Sequence, residues 1–160
     1  MRKVSIFMLL AILATVNSLT SSVQAAAEIT LSQGQTLYVP VYSHIYAGNR
    51  EQPILLTVTL SIRNIDSKHA ITIRSVDYYE TKGAFLEKYV DKKVVLKPFE
   101  TTRFIIPQKD KSGGSGANFL VEWHSEKAVN PPLIESVMIG AEGQQGISFT
   151  SRGEVITTAN

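Results

Sequence analysis

Between residues 54 and 65 the chain reads ILLTVTLSIRNI, and no other segment constrains the fold as strongly. Leu56, Val58, Leu60 and Ile62 fall on one side of a two-residue period, and Thr57, Thr59, Ser61 and Arg63 on the other. Successive side chains of a strand point to opposite faces, so this is an antiparallel strand with one face in a core and one in water. Nowhere from residue 28 onward does an apolar pattern keep the helical period beyond about three turns, the mean length of a helix. Helix is therefore incidental to this chain.

The same period organises the segments on either side. Residues 36–46 (TLYVPVYSHIY) place Leu37, Val39, Val41 and Ile45 on one parity, and Tyr38, Pro40, Tyr42, His44 and Tyr46 on the other. Pro40 has no N–H to give to a ladder, so this strand lies at a sheet edge or breaks near its middle. Before it, residues 28–32 read as a short edge strand and Gln33-Gly34 as a turn. Across residues 70–80 the apolar parity switches from Ile71 and Ile73 to Val76 and Tyr78, which predicts a β-bulge near Arg74 or Ser75. Further strands are expected over 84–90, 94–96, 101–106, 119–125, 133–139 and 147–150, the last entered through a turn at 143–146. Around eight short strands, with turn signals roughly every eight to twelve residues, describe an all-β antiparallel β-sandwich. Unequal strands and the placing of proline favour immunoglobulin or fibronectin type III character; a small β-barrel is the alternative.

The first residues stand outside this pattern. Arg2 and Lys3 precede an apolar run over residues 5–16, and small residues follow at 24–27, the build of a secretory signal peptide. A run of about a dozen residues is short of the roughly 20 that span a bilayer. Cleavage after Ala25 or Ala27 divides the chain into a signal peptide over 1–25 and one domain over 26–160. The protein is then exported, periplasmic or secreted, with no stable membrane insertion after the signal is removed. Cleavage also takes two of the 16 basic residues, leaving 14 against 14 acidic ones. Without net charge, the mature chain has no overall attraction for nucleic acid or for an anionic membrane surface. The absence of cysteine excludes disulfides, thiol catalysis and a lipid anchor at the cleavage site.

Residues 34–46 (GQTLYVPVYSHIY), 60–64 (LSIRN), 76–79 (VDYY), 112–123 (SGGSGANFLVEW), 130–132 (NPP) and 143–153 (GQQGISFTSRG) resemble a family of small exported bacterial proteins known only as a domain of unknown function. The resemblance covers nearly all of the mature chain. It implies a bacterial, exported setting and brings no activity, cofactor or site residue.

Candidate chemistry is correspondingly spare. Gly113-Gly114-Ser115-Gly116-Ala117 comes close to a nucleophile elbow, but its glycines precede a strand, no helix follows, and Ala117 stands where a glycine is needed. Ser115 reads as a turn residue, with a backbone nest for a small anion as its functional reading. Asn118 is positioned to fix the junction with strand 119–125 by bonding local backbone. Trp123 shares its parity with Phe119 and Val121 and belongs to the core. Tyr38, Tyr42 and Tyr46, with His44 among them, form an aromatic row on the non-core face that suits a sugar ring or a protein partner. Glu122 and His124 share an outward parity, and His44 would join them at a metal only from a neighbouring strand. The resulting expectation is a non-catalytic binding or envelope-interaction module for an unknown protein or small ligand. Its contacts would be Tyr38, Tyr42, His44, Tyr46, Ser115 and Asn118, with no cofactor. The alternative is a periplasmic hydrolase or metal-binding protein centred on Ser115 or on His44, Glu122 and His124.

Overall fold

A computed structural model describes residues 30–46, 48, 52–142 and 145–159. The expected signal peptide over 1–25 lies outside the described residues, as do parts of the expected edge strand at 28–32 and of the expected turn at 143–146. Twelve strands are found among the described residues: β1 (Ser32–Pro40), β2 (His44–Tyr46), β3 (Pro53–Leu55), β4 (Thr57–Arg63), β5 (Ile71–Tyr79), β6 (Phe85–Lys88), β7 (Val94–Leu96), β8 (Thr101–Ile106), β9 (Asn118–Val129), β10 (Leu133–Glu142), β11 (Gln145–Arg152) and β12 (Glu154–Ala159). Six form one sheet in the order β12-β1-β9-β5-β6, with β7 pairing the other half of the same edge of β5. Four form a second sheet, β11-β10-β4-β8, and β2 and β3 make a separate ribbon. All pairs are antiparallel, and the sheets pack together as a sandwich without closing into a barrel.

The alternation in 54–65 does what its period implies. Leu56, Val58, Leu60 and Ile62 are fully buried, and the larger sheet supplies Leu37, Val39, Ile73, Val76, Phe119, Val121 and Trp123 to the same core. Burying each such side chain is worth about 1.5–3 kcal/mol, which is where a cysteine-free chain must find its stability. Trp123 is buried although its indole Nε1–H has no hydrogen-bond partner, so packing alone holds it. The parity switch in β5 is a bulge: its register against β9 shifts between Ile73 and Ser75, leaving Arg74 outward while Ile73 and Val76 both point in.

Pro40 breaks its strand rather than marking an edge. β1 lies between β12 and β9 and ends at Pro40, beyond the last β12 pair at Tyr38. The freed Pro40 carbonyl is turned to the other sheet, where it accepts from the hydroxyls of Ser136 on β10, at 3.2 Å, and Ser151 on β11.

Two expectations are corrected. Gln33-Gly34 is not a turn, because β1 runs through it with a register shift against β9. Gly34 is needed there for close approach: a Cβ would come within 2.9 Å of the Trp123 carbonyl. The strand count exceeds eight because 36–46 and 54–65 each divide, and because β12 adds an edge strand whose six residues are all exposed.

Candidate functional site

The break after Pro40 also disperses the tyrosine row. Tyr38 stays on the outer side of β1, 37 % exposed, whereas Tyr42 is half-buried and meets Phe149 edge-on at 5.7 Å. His44 and Tyr46 ride on the β2–β3 ribbon, with His44 Nε2 3.2 Å from the Tyr46 hydroxyl and the rings edge-on. An uninterrupted row along one strand is therefore not formed.

The glycine loop is architectural. Ser115 sits in a short 3-10 turn, Gly114–Gly116. Thr81 donates its N–H and hydroxyl to the Gly113 carbonyl, both at 2.9 Å, and Ser43 does the same to the Gly114 carbonyl, both at 3.0 Å. Gly116 N–H is given to Thr81 Oγ1 and Gly114 N–H to the Lys111 carbonyl, so two of the amides an anion nest would use are taken. Only Gly114, at φ +78°, uses the left-handed region; Gly113 is small because a Cβ there would collide with the Tyr78 hydroxyl. That hydroxyl, beside Ser43 and Gly113, has no partner of good geometry, and burial pushes its pKa up to about 12. Asn118 pairs across the ladder with Pro40 on one side and Tyr79 on the other, and these pairs fix the junction.

Ser115 has no hydrogen bond to a histidine or carboxylate among the described residues, and no group of three or more His, Asp or Glu side chains there is placed to hold a metal. His44, on the ribbon, does not join Glu122 and His124, which lie on β9 in the larger sheet.

Glu122 and His124 do lie together, and His124 opens on a larger feature at the far end of β9. A depression of about 620 Å³ on the outer face of the larger sheet is lined by Lys68, Arg74, Lys93 and Lys127, with His69 and His124. Glu126 is the single acidic residue in its lining. A smaller depression of about 160 Å³ shares Arg74 and His124 and passes over Gly34 to Thr36 and Thr157.

The cations come from three separate segments held in place by a short hydrogen-bonded network. Asn64, buried at the end of β4, accepts from Asp66 N–H at 3.0 Å and donates its amide to the carbonyls of His69, Leu96 and Lys97 at 2.9–3.1 Å. Asp66 accepts from Lys68 N–H at 2.9 Å and His69 N–H at 2.8 Å, and its other oxygen accepts from Asn130 N–H at 3.1 Å. These amide bonds, that from Lys68 first, hold the Asp66 carboxyl well below the usual carboxylate range against the opposing effect of burial. Two side chains thus tie the β4–β5 turn to the β7–β8 turn and the β9–β10 loop. His69 is oriented by its Nδ1, 3.3 Å from Asp66 Oδ1. Arg74 Nη1 lies 3.1 Å from Glu122 Oε1, and with both side chains 43 % exposed the pair adds at most about 1 kcal/mol.

Neighbouring strands are about 4.8 Å apart, within the screening length of about 8 Å at physiological salt, so Lys93, beside β7, lies within electrostatic reach of the Arg74–Glu122 pair on β5 and β9, whose own charges offset one another. Sequence reasoning singled out His124 and Glu122 but not the lysines. Lys68, Lys93 and Lys127 follow no common spacing, and the Lys92-Lys93 doublet is the one local hint.

A family model described as "Protein of unknown function (DUF3124)" matches residues 34–156. The chain belongs to the DUF3124 family. The matched span takes in the whole of the larger depression, and the Asn64 and Asn130 of the hydrogen-bonded network at this end of the DUF3124 chain lie in the LSIRN and NPP segments. No curated protein matches the chain. Among solved structures, the DUF3124 chain is similar to a protein of Thermotoga maritima, "Crystal Structure of Thermotoga maritima 1070", at 12 % identity and a TM-score of 0.44, over 75 % of this chain and 92 % of that one. Among the described residues no helix is long and apolar enough to cross a membrane.

Proposed function

We propose that this DUF3124 protein is an exported, non-catalytic binding module that takes anionic ligands on the outer face of its larger sheet. The observation that carries the reading is the convergence of Lys68, Arg74, Lys93 and Lys127 on one depression of a chain whose domain has no net charge. Charges of one sign gathered in a recess raise the local concentration of opposite charges, even on a protein that is neutral overall. Export is supported by the basic and apolar leader at residues 2–16, and places the ligand in the envelope or outside the cell.

Calorimetric titration of the mature chain with inorganic polyphosphate tests this. Three surface cations at about 0.5–1 kcal/mol each correspond to a loss of about tenfold to a hundredfold in affinity when Lys68, Lys93 and Lys127 are all replaced by Glu. Lys109→Glu with Lys111→Glu, beside the glycine loop about 20–30 Å away along β9, leaves the affinity unchanged. Absence of binding, or equal loss from the distant pair, contradicts the proposal.

A further inference from the structure

Phe99 is the one non-glycine residue with a left-handed backbone among the described residues, at φ +62°, and at 72 % exposure it is the most exposed of the large hydrophobic side chains. It follows Pro98 in the turn closed by Glu100 N–H to the Lys97 carbonyl at 3.0 Å, where positive φ calls for glycine or asparagine. A strained, solvent-exposed aromatic at a turn tip has no role in the fold, and strain kept at such a position points to function.

The tip is rigidly mounted. Asn64 Nδ2 holds the Leu96 and Lys97 carbonyls, and Asn64 N–H is given to the Glu100 carbonyl at 3.0 Å. A second exposed apolar side chain, Val95, stands two residues before Lys97 and lines the basic depression with Lys93. Lys97 directly precedes the Pro98-Phe99 tip, and Lys68 and Lys93 line the depression that Val95 also lines. Of the nearby acids, Glu122 is offset by Arg74, while Glu100, whose carboxylate accepts from the Lys97 N–H at 2.8 Å, Glu126 at the depression and Asp91 ahead of β7 keep their charge against Lys68, Lys92, Lys93, Lys97 and Lys127.

We infer that this corner docks the protein on an anionic lipid surface. Phe99 enters the headgroup layer, and the basic depression faces the lipid phosphates. An exposed apolar tip next to Lys97 and a lysine-lined depression suits a fluid anionic surface, which supplies depth for the ring and charge for the cations together. The docking is peripheral and rests on the anion-binding reading above.

Co-sedimentation with vesicles of phosphatidylcholine alone, or mixed with phosphatidylglycerol, tests it against polyphosphate binding by the same protein. The protein should bind the mixed vesicles only. Phe99→Asn, which keeps a residue tolerant of positive φ, should weaken that binding about tenfold and leave polyphosphate affinity unchanged. Vesicle binding indifferent to Phe99→Asn, or equal on neutral vesicles, overturns the docking. Polyphosphate binding without vesicle binding also overturns it, while sparing the anion reading; binding to neither overturns both.

Discussion

Asp66 shows how one buried carboxylate organises a surface made by other residues. Its oxygens accept from the amides of Lys68, His69 and Asn130, which pre-positions Lys68 and His69 at the depression. Because the folded state lowers its pKa below the ordinary value of 3.8, its ionised form stabilises the fold above that value. The contribution is lost as pH falls below about 4, where the unfolded chain takes up the proton first. Asp66→Asn should therefore be less stable than wild type in urea melts at neutral pH, with the gap narrowing on acidification below pH 4. A gap that is constant with pH would mean that the ionised form is not what the turn needs. Nothing in its neighbours along the chain announced Lys127, and only the adjoining Lys92 hinted at Lys93.

The elements that declared themselves in the sequence have a face in the core. β4 and the β5 bulge were readable because burial imposes a period, and a bulge interrupts that period at an identifiable residue. β12 was not readable: its side chains are all exposed, so no apolar stripe marks it, and only pairing with β1 makes it a strand. Gly34 misled for a related reason, since glycine marks turns, bulges and close backbone approach alike. The glycine loop reversed its apparent character. Its residues promised a permissive turn, yet its carbonyls and amides are bound to Ser43 and Thr81. β12 carries an element-level prediction: without it, β1 loses its partner from Gly34 to Tyr38 and presents a bare ladder edge. A chain ending at Gly153 should self-associate in size-exclusion chromatography with light scattering. A monomer of undiminished stability would show that β12 contributes nothing.

For the whole molecule, the informative quantity is the arrangement of charge rather than its sum. Residues 26–160 carry 14 basic and 14 acidic side chains, but a total does not report that four cations gather at one end of a sheet. That gathering needs the topology: β5, β7 and β9 are neighbours although well separated in the chain, and the Asn64–Asp66 network brings a turn beside them. Shared parity could place His124 beside Glu122 from sequence; only the strand order could add Lys93 and Arg74. The most direct test of the proposed anion-binding site is therefore a map of where an anion lands. Adding inorganic polyphosphate to the isotopically labelled mature chain should shift amide resonances over residues 68–74, 93–95 and 124–127, and leave 109–117 unmoved. Shifts centred on the glycine loop or the β2–β3 ribbon, or none at all, would contradict the account.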